Sequence, residues 1–145
     1  MASQPISILM VEDNPGDARL VLELLLESSW AGRFVVTWVD RLGHAFDKLI
    51  NNVFQVILLD LSLPDSHGLD TLTRMRARAP SLPIVVLTGL DDEDLALRAM
   101  QGGAQDYLVK GRGDGDLIRR AIRYAIERHR AEEALRQSRA RFQAI

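Results

Sequence analysis

Five residues with reactive side chains stand where short apolar segments of the sequence end: Glu12, Asp13, Asp60, Thr88 and Lys110. A carboxylate that follows a buried strand costs free energy unless a partner pairs with it or uses it. Grouped carboxylates stay ionised together only beside cations, and oxygen ligands suit Mg²⁺. A metal, an ammonium and a hydroxyl together suit a phosphoryl group, whose oxygens accept all three interactions. Asp60 could also attack phosphorus as a nucleophile and form an aspartyl phosphate.

Each of these residues, taken singly, has a simpler interpretation. An aspartate after a strand commonly caps a helix or lies in a turn, and an acidic pair before Asn-Pro-Gly is typical of a turn. Threonine is common in strands, and a lone lysine is most often a surface charge. The phosphoryl hypothesis therefore depends on all of them meeting at one edge of one sheet.

Strand-like apolar segments alternate with segments of helical periodicity. The predicted strands are residues 6–11, 34–39, 55–60, 83–88 and 106–110, and the predicted helices are 15–29, 41–52, 68–79, 92–103 and 114–145. This alternation predicts an α/β protein whose parallel sheet has helices on both faces. Ligands of doubly wound sheets bind outside the carboxyl ends of the strands, where the five residues gather. The second strand, expected at one side, contributes mainly Asp40.

The composition is that of a globular protein, with 47% hydrophobic and 26% charged residues in a chain of 145. That length suits one domain. The absence of cysteine excludes disulfides and thiolate metal sites. No run approaches the roughly 18 apolar residues of a membrane span, and no basic segment precedes an apolar stretch at the N-terminus. Neither a membrane span nor a signal peptide is expected, and the cytoplasm is the expected location.

The net charge of −2 is unevenly distributed, because residues 1–116 carry −7 and residues 117–145 carry +5. An acidic body with a basic tail raises the hypothesis of nucleic-acid binding. The tail lacks interleaved aromatic residues or a recognition motif, however. Its arginines alternate with glutamate and alanine at helical spacing, which is typical of a solvated helix. Nucleic-acid binding is therefore the weaker interpretation.

Four stretches together resemble the receiver domain of two-component response regulators: ILMVEDNPGD, VILLDLSLPDSHG, VVLTG and DYLVKG. They are spread over residues 6–111, and the match extends to about residue 126. The resemblance implies a doubly wound five-stranded parallel sheet with the flavodoxin-like order 2-1-3-4-5 and an extended C-terminal helix. It divides the chain into a receiver domain, residues 1–126, and a helical extension, residues 127–145.

The resemblance also implies the phosphorylation chemistry. Asp60 would accept a phosphoryl group from a histidine kinase or a phosphotransfer protein. Mg²⁺ would be bound by Asp13 directly, by Glu12 through water, by Asp60 and by the backbone carbonyl of Ser62. Lys110 would pair with the phosphoryl oxygens. The domain would then be a phosphoacceptor and not an enzyme with a separate substrate, although intrinsic autophosphorylation and autodephosphorylation belong to the expectation.

A switch is implied as well. Thr88 would turn its hydroxyl towards the phosphoryl group, and Tyr107 would be the aromatic residue that moves inward with it. Tyr107 also fits an ordinary amphipathic strand. The output surface would comprise the fourth helix, the fifth strand and the fifth helix, with these surface members: Asp94, Arg98, Tyr107 and Arg119.

Two positions depart from the family pattern. Gly111 follows Lys110 where family members commonly have proline, and Gly89 follows Thr88 where a slightly larger small residue is frequent. The first change predicts a less rigidly held lysine, and the second predicts a more open phosphoryl site. Both leave the lifetime of the phosphorylated state open.

Two other functions compete with the switch. A haloacid-dehalogenase-like phosphatase would use the same aspartyl nucleophile, but it needs a second acid two residues later, where Ser62 stands. It would also need a cap domain. A scaffold that only keeps the fold is the other alternative, against which the complete set of acids, threonine and lysine argues.

The predicted last helix is long. It contains neither glycine nor proline over residues 116–145, and thirty helical residues span about 45 Å. An approximate heptad repeat, interrupted by Arg128, contains Tyr124, Ala131, Leu135, Ser138, Phe142 and Ile145. One interpretation is a solvated extension with i,i+4 ion pairs. The other is a signalling helix that pairs with a second copy of the chain. The stretch EEALRQSRARFQAI resembles the linker that precedes PAS sensor domains. This resemblance suggests that the receiver comes from a longer protein.

Overall fold

The computed structural model describes residues 5–28, 31–89 and 92–143. The strands in chain order are β1 (Ile6–Val11), β2 (Phe34–Val39), β3 (Val56–Asp60), β4 (Ser62–Leu63), β5 (Ser66–His67), β6 (Ile84–Thr88) and β7 (Asp106–Val109). The helices are α1 (Pro15–Glu27), α2 (Leu42–Asn51), α3 (Leu69–Arg78), α4 (Glu93–Gln101) and α5 (Gly115–Gln143), with a 3₁₀ turn at Ala31–Arg33.

Five parallel strands form one sheet in the order β2-β1-β3-β6-β7. The predicted doubly wound, flavodoxin-like sheet is confirmed, because the fourth and fifth predicted strands are β6 and β7. The intervening strands β4 and β5 form a separate antiparallel hairpin directly after β3. The hairpin was not predicted, since strands of two residues carry no readable periodicity.

Alternating side chains along the strands divide the core into two layers. Leu9 and Val11 of β1 pack with residues of α2, α3 and α4 on one face. Ile8 and Met10 pack with residues of α1 and α5 on the other face. All residues of β3 and β6 are buried, because helices cover both faces of these central strands. This is why their sequences are apolar at consecutive positions.

Helices α1 to α4 end one or two residues inside their predicted bounds, as is usual at helix termini. At the start of α1, the side chain of Asn14 accepts a hydrogen bond from the backbone N–H of Asp17 and caps the helix. The long helix α5 is continuous, and its buried apolar residues end at Ile126. Ala144 and Ile145 of the predicted extension lie outside the described residues. None of the helices in the described ranges is apolar over enough residues to cross a membrane.

Candidate functional site

The carboxyl ends of β1 and β3 bring three acids together, because these strands are neighbours at the centre of the sheet. Carboxylate oxygens of Glu12, Asp13 and Asp60 lie within 4.8 Å of one another. Glu12 is 0% exposed and Asp60 is 6% exposed, whereas Asp13 lies on the surface. The cluster has the ligand types and spacing to hold a metal ion.

Lys110 follows β7, and its ammonium reaches into the acidic cluster. Its Nζ lies 2.6 Å from Glu12 Oε1 and 3.1 Å from Asp60 Oδ2. Burial by itself lowers the pKa of Lys110, but the neighbouring carboxylates outweigh burial and raise the pKa above its ordinary value. The lysine therefore brings a permanent positive charge to the cluster.

Glu12 is a buried acid with unused acceptor capacity. Neither of its carboxyl oxygens has a hydrogen-bond partner among the described residues, although Lys110 Nζ lies 2.6 Å from Oε1. Burial, followed by the neighbouring Asp60 carboxylate, raises the pKa of Glu12 to about 9, although Lys110 acts in the opposite direction. Glu12 is thus protonated at neutral pH unless a further cation compensates its charge. Unpartnered buried oxygens beside two carboxylates fit the requirements of a hard divalent cation.

Asp60 is held in a fixed direction by two donors. The backbone N–H of Ser62 donates to Oδ1 at 3.0 Å, and Lys110 Nζ donates to Oδ2 at 3.1 Å. Ser62 is itself fixed because it begins β4 and pairs with His67 of β5. The short hairpin therefore holds the chain that follows the carboxylate.

Thr88 and Tyr107 lie near this edge but on the other face of the sheet. Strand alternation places Thr88 on the face of Ile84 and Val86, and Tyr107 packs on that same face. The Thr88 hydroxyl donates to the carbonyl of Leu108 at 3.4 Å and to none of the acids in the described site. The structure therefore brings Glu12, Asp13, Asp60 and Lys110 together, with the threonine hydroxyl turned away.

Sequence reasoning missed one acid of the site. Asp17, in the first turn of α1, lies 3.1 Å from Lys110 Nζ. The available signal was its place four residues after Asp13, in a helix that starts at the same edge of the sheet. Sequence reasoning also missed Trp38, whose indole N–H donates to the carbonyl of Glu12 at 2.8 Å and so fixes the end of β1.

Asp40, the acid expected after the second strand, takes no part in this cluster. Its carboxylate lies 3.1 Å from Arg41 Nε and 3.2 Å from His44 Nδ1. The hydrogen bond with Arg41 lowers the pKa of Asp40. Because β2 is at the edge of the sheet, its carboxyl end lies beside the site and not within it.

The structure is that of a doubly wound α/β domain with an acidic site at the carboxyl edge of its sheet, and comparison with known proteins gives the family. Residues 8–123 match the response regulator receiver domain. The chain is 36% identical over 115 residues to the swarming motility regulation protein RssB of Serratia marcescens, covering 79% of this chain and 51% of RssB. It is 35% identical over 119 residues to the regulatory protein LuxO of Vibrio vulnificus, covering 82% of this chain and 25% of LuxO.

A solved structure agrees with these relatives. The response regulator receiver domain protein from Clostridium thermocellum is 27% identical and superposes with a TM-score of 0.72, covering 87% of this chain and 98% of that one. The chain belongs to the response regulator receiver domains of two-component systems. It spans about half of RssB and a quarter of LuxO.

Proposed function

We propose that the chain is a phosphorylation-controlled switch in which Asp60 accepts a phosphoryl group from a histidine kinase or a phosphotransfer protein. The observation that carries this proposal is the fixed, nearly buried Asp60 carboxylate between the Ser62 N–H and the Lys110 ammonium. An Asp60 oxygen would form the bond to phosphorus. The bond from phosphorus to the donor would break, and the donor would leave with the electron pair.

The acids of this cluster support a Mg²⁺ requirement. Asp13, Asp60, the carbonyl of Ser62 and, through water, Glu12 would hold the ion. When bound, Mg²⁺ neutralises charge that gathers on the phosphoryl oxygens. The ammonium of Lys110 would stabilise the same charge from the protein side, since it already lies 3.1 Å from Asp60 Oδ2.

Thr88 and Tyr107 would transmit the change. The bond from the Thr88 hydroxyl to Leu108 is long for an O–H···O hydrogen bond, so little free energy opposes a turn towards a phosphoryl oxygen. Tyr107 would move further inward on the shared face. A local charge change would thereby bias the face formed by α4, β7 and α5, whose surface includes Asp94, Arg98, Tyr107 and Arg119.

The end of the buried residues of α5 at Ile126 supports a division into a receiver domain, residues 1–126, and a helical extension, residues 127–145. Two contacts link the extension to the start of β7, the strand that carries Tyr107. Arg128 lies 3.8 Å from Asp106, and Gln105 donates to Glu132 at 2.9 Å. A shift of β7 would therefore reach the extension.

The extension would also pair with a second copy of the chain. Its apolar stripe contains Leu135 and Phe142, which are 54% and 78% exposed. Exposed apolar residues at heptad spacing favour helix pairing. The proposed partners are therefore a second copy of the chain and a phosphoryl donor, and binding of nucleic acid is not part of the proposal. The proposed location is the cytoplasm.

The domain would be a phosphoacceptor whose chemistry is confined to its own aspartate. It would catalyse its own phosphorylation by small donors and its own dephosphorylation. A phosphatase of the haloacid-dehalogenase type is less well supported, because Ser62 stands where that chemistry needs a general acid.

The test is incubation with acetyl phosphate and Mg²⁺, followed by measurement of the intact mass. The wild-type chain should gain one phosphoryl mass, and Asp60→Asn should gain none. Chelation of Mg²⁺ should suppress the gain. An unmodified wild type, or equal labelling of Asp60→Asn, would refute the assignment of Asp60. Repeated turnover of a generic phosphate ester would favour the phosphatase.

A further inference from the structure

A third carboxylate contacts the site lysine from a helix that packs on the sheet. Asp17 belongs to the first turn of α1, and its Oδ2 lies 3.1 Å from Lys110 Nζ. The distance equals that from the same nitrogen to Asp60 Oδ2. The Asp17 side chain is 37% exposed, and the lysine side chain is 18% exposed. The pair therefore lies at the rim of the site, where a phosphoryl group would enter.

Three acids already crowd the ammonium of Lys110. It donates hydrogen bonds to Asp17 and Asp60, and it lies 2.6 Å from Glu12 Oε1. A phosphoryl oxygen that approaches the lysine therefore competes with acids that attract the same positive charge. The Asp60 carboxylate loses its negative charge when it bonds to phosphorus, whereas Asp17 keeps its charge and continues to draw the ammonium towards α1.

The backbone of Lys110 is held in place, whereas its side chain is long and flexible. The Lys110 N–H donates to the carbonyl of Thr88 at 2.8 Å, and Gly111 follows with a φ of +81°. The position of the ammonium therefore depends on the acids around it.

We propose that Asp17 is a positioning residue that competes with the phosphoryl group on Asp60 for the ammonium of Lys110. It thereby weakens the phosphorylated state. This inference rests on the proposed function of Asp60. It assigns to α1 a role in how tightly the site holds the phosphoryl group, separate from the residues that accept it or bind Mg²⁺.

The probe is beryllofluoride, which mimics the phosphoryl group, titrated into the folded chain at saturating Mg²⁺. Asp17→Asn keeps the shape of the side chain but removes its charge. We expect it to bind beryllofluoride about two- to five-fold more tightly, the range that one partly exposed ion pair supports. Asp17→Glu, which keeps the charge, should stay close to the wild type.

Affinity for Mg²⁺ alone gives a readout that a merely structural role would not produce. Asp17→Asn frees the positive charge of Lys110, so Mg²⁺ should bind somewhat more weakly while beryllofluoride binds more tightly. The control is Asp70→Asn. Asp70 is an exposed acid in the first turn of α3, and its side chain makes no ion pair or hydrogen bond with the described residues. This variant should change neither affinity.

The outcomes separate the two proposals. If the wild type binds no beryllofluoride, the proposed function of Asp60 fails, and this inference fails with it. If the wild type binds it but Asp17→Asn binds equally or more weakly, only the role of Asp17 is refuted. Equal tightening in Asp70→Asn would assign the effect to general charge and would also refute that role. Urea unfolding of each variant verifies that the fold is intact.

Discussion

Replacing Glu12 with glutamine should stabilise the protein in the absence of divalent cations. The carboxyl is fully buried, and burial together with Asp60 raises its pKa from 4.5 to about 9. The folded state therefore holds a proton that the unfolded state releases at lower pH. The stabilising effect of this proton is complete below a pH of about 4.5 and is lost progressively as the pH rises to about 9.

The magnitude follows from the width of that window. Each pH unit within it lowers the free energy of unfolding by about 1.4 kcal/mol for a single group. Between about pH 5.5 and about pH 8, Glu12 alone should lower it by about 3 kcal/mol. Acids with lowered pKa values, such as Asp40 and Asp65, titrate below this window and do not offset the slope.

Glu12→Gln has no proton to lose, so its stability should be nearly level over the same range. Near pH 8 in EDTA the free energy of unfolding of Glu12→Gln should exceed that of the wild type by about 1–3 kcal/mol, the lower value allowing for an altered contact with Lys110. In the presence of Mg²⁺, the wild type should instead be more stable than Glu12→Gln. The wild type gains stability by binding the ion to the folded state, and the variant has lost one of the proposed ligands.

The assay is urea unfolding at the two pH values, with EDTA and with Mg²⁺. The control is Glu23→Gln, the same change at an exposed position of α1, which should follow the wild type. A wild type that is equally stable or more stable at the higher pH in EDTA would contradict the raised pKa of Glu12. Full stabilisation of Glu12→Gln by Mg²⁺ would contradict the role of Glu12 at the metal.

Two further predictions concern α5. Gly115→Ala should lower the free energy of unfolding by about 1–3 kcal/mol, because the added Cβ would lie 2.3 Å from the carbonyl oxygen of Leu24 and 2.8 Å from the amide nitrogen of Ser28. Urea unfolding tests this against Gly32→Ala, where a Cβ would meet nothing within 4 Å. An equal loss of stability in the two variants would contradict the prediction. Beryllofluoride should promote a concentration-dependent dimer of the wild type, as measured by light scattering. Leu135→Glu should abolish this dimer, whereas Ile50→Glu, at an exposed position of α2, should not. A wild type that stays monomeric at all concentrations would refute the pairing proposal.

The sheet and most of the site were predictable because they depend on local signals. Apolar runs define β3 and β6, and the residue that ends such a run lies at the carboxyl edge wherever the strand pairs. Asp60 and Lys110 could therefore be placed together without knowledge of distances. The strand order came from the family resemblance, since hydrophobic periodicity does not encode which strands are neighbours.

Asp17 and the hairpin could not be predicted in this way. The contact of Asp17 with Lys110 joins residues 93 positions apart, and it depends on how α1 packs and on how a long side chain turns. The face occupied by Thr88 was missed for a related reason. Its position at the end of β6 was correct, but the register with β3, which pairs Asp60 with Leu87, places the Thr88 side chain on the opposite face from Asp60.

That register gives the site two separate connections to the rest of the fold. Glu12, Asp60 and Lys110 continue the alternation of the face that packs on α1 and α5, and Asp17 belongs to that layer. Thr88 and Tyr107 continue the opposite face, which packs on α2, α3 and α4. A charge added at Asp60 would therefore act on α1 through the lysine and on α4 through the threonine. Different residues would therefore control two properties of the domain. One is the affinity of the site for the phosphoryl group, and the other is the transmission of phosphorylation to the output face.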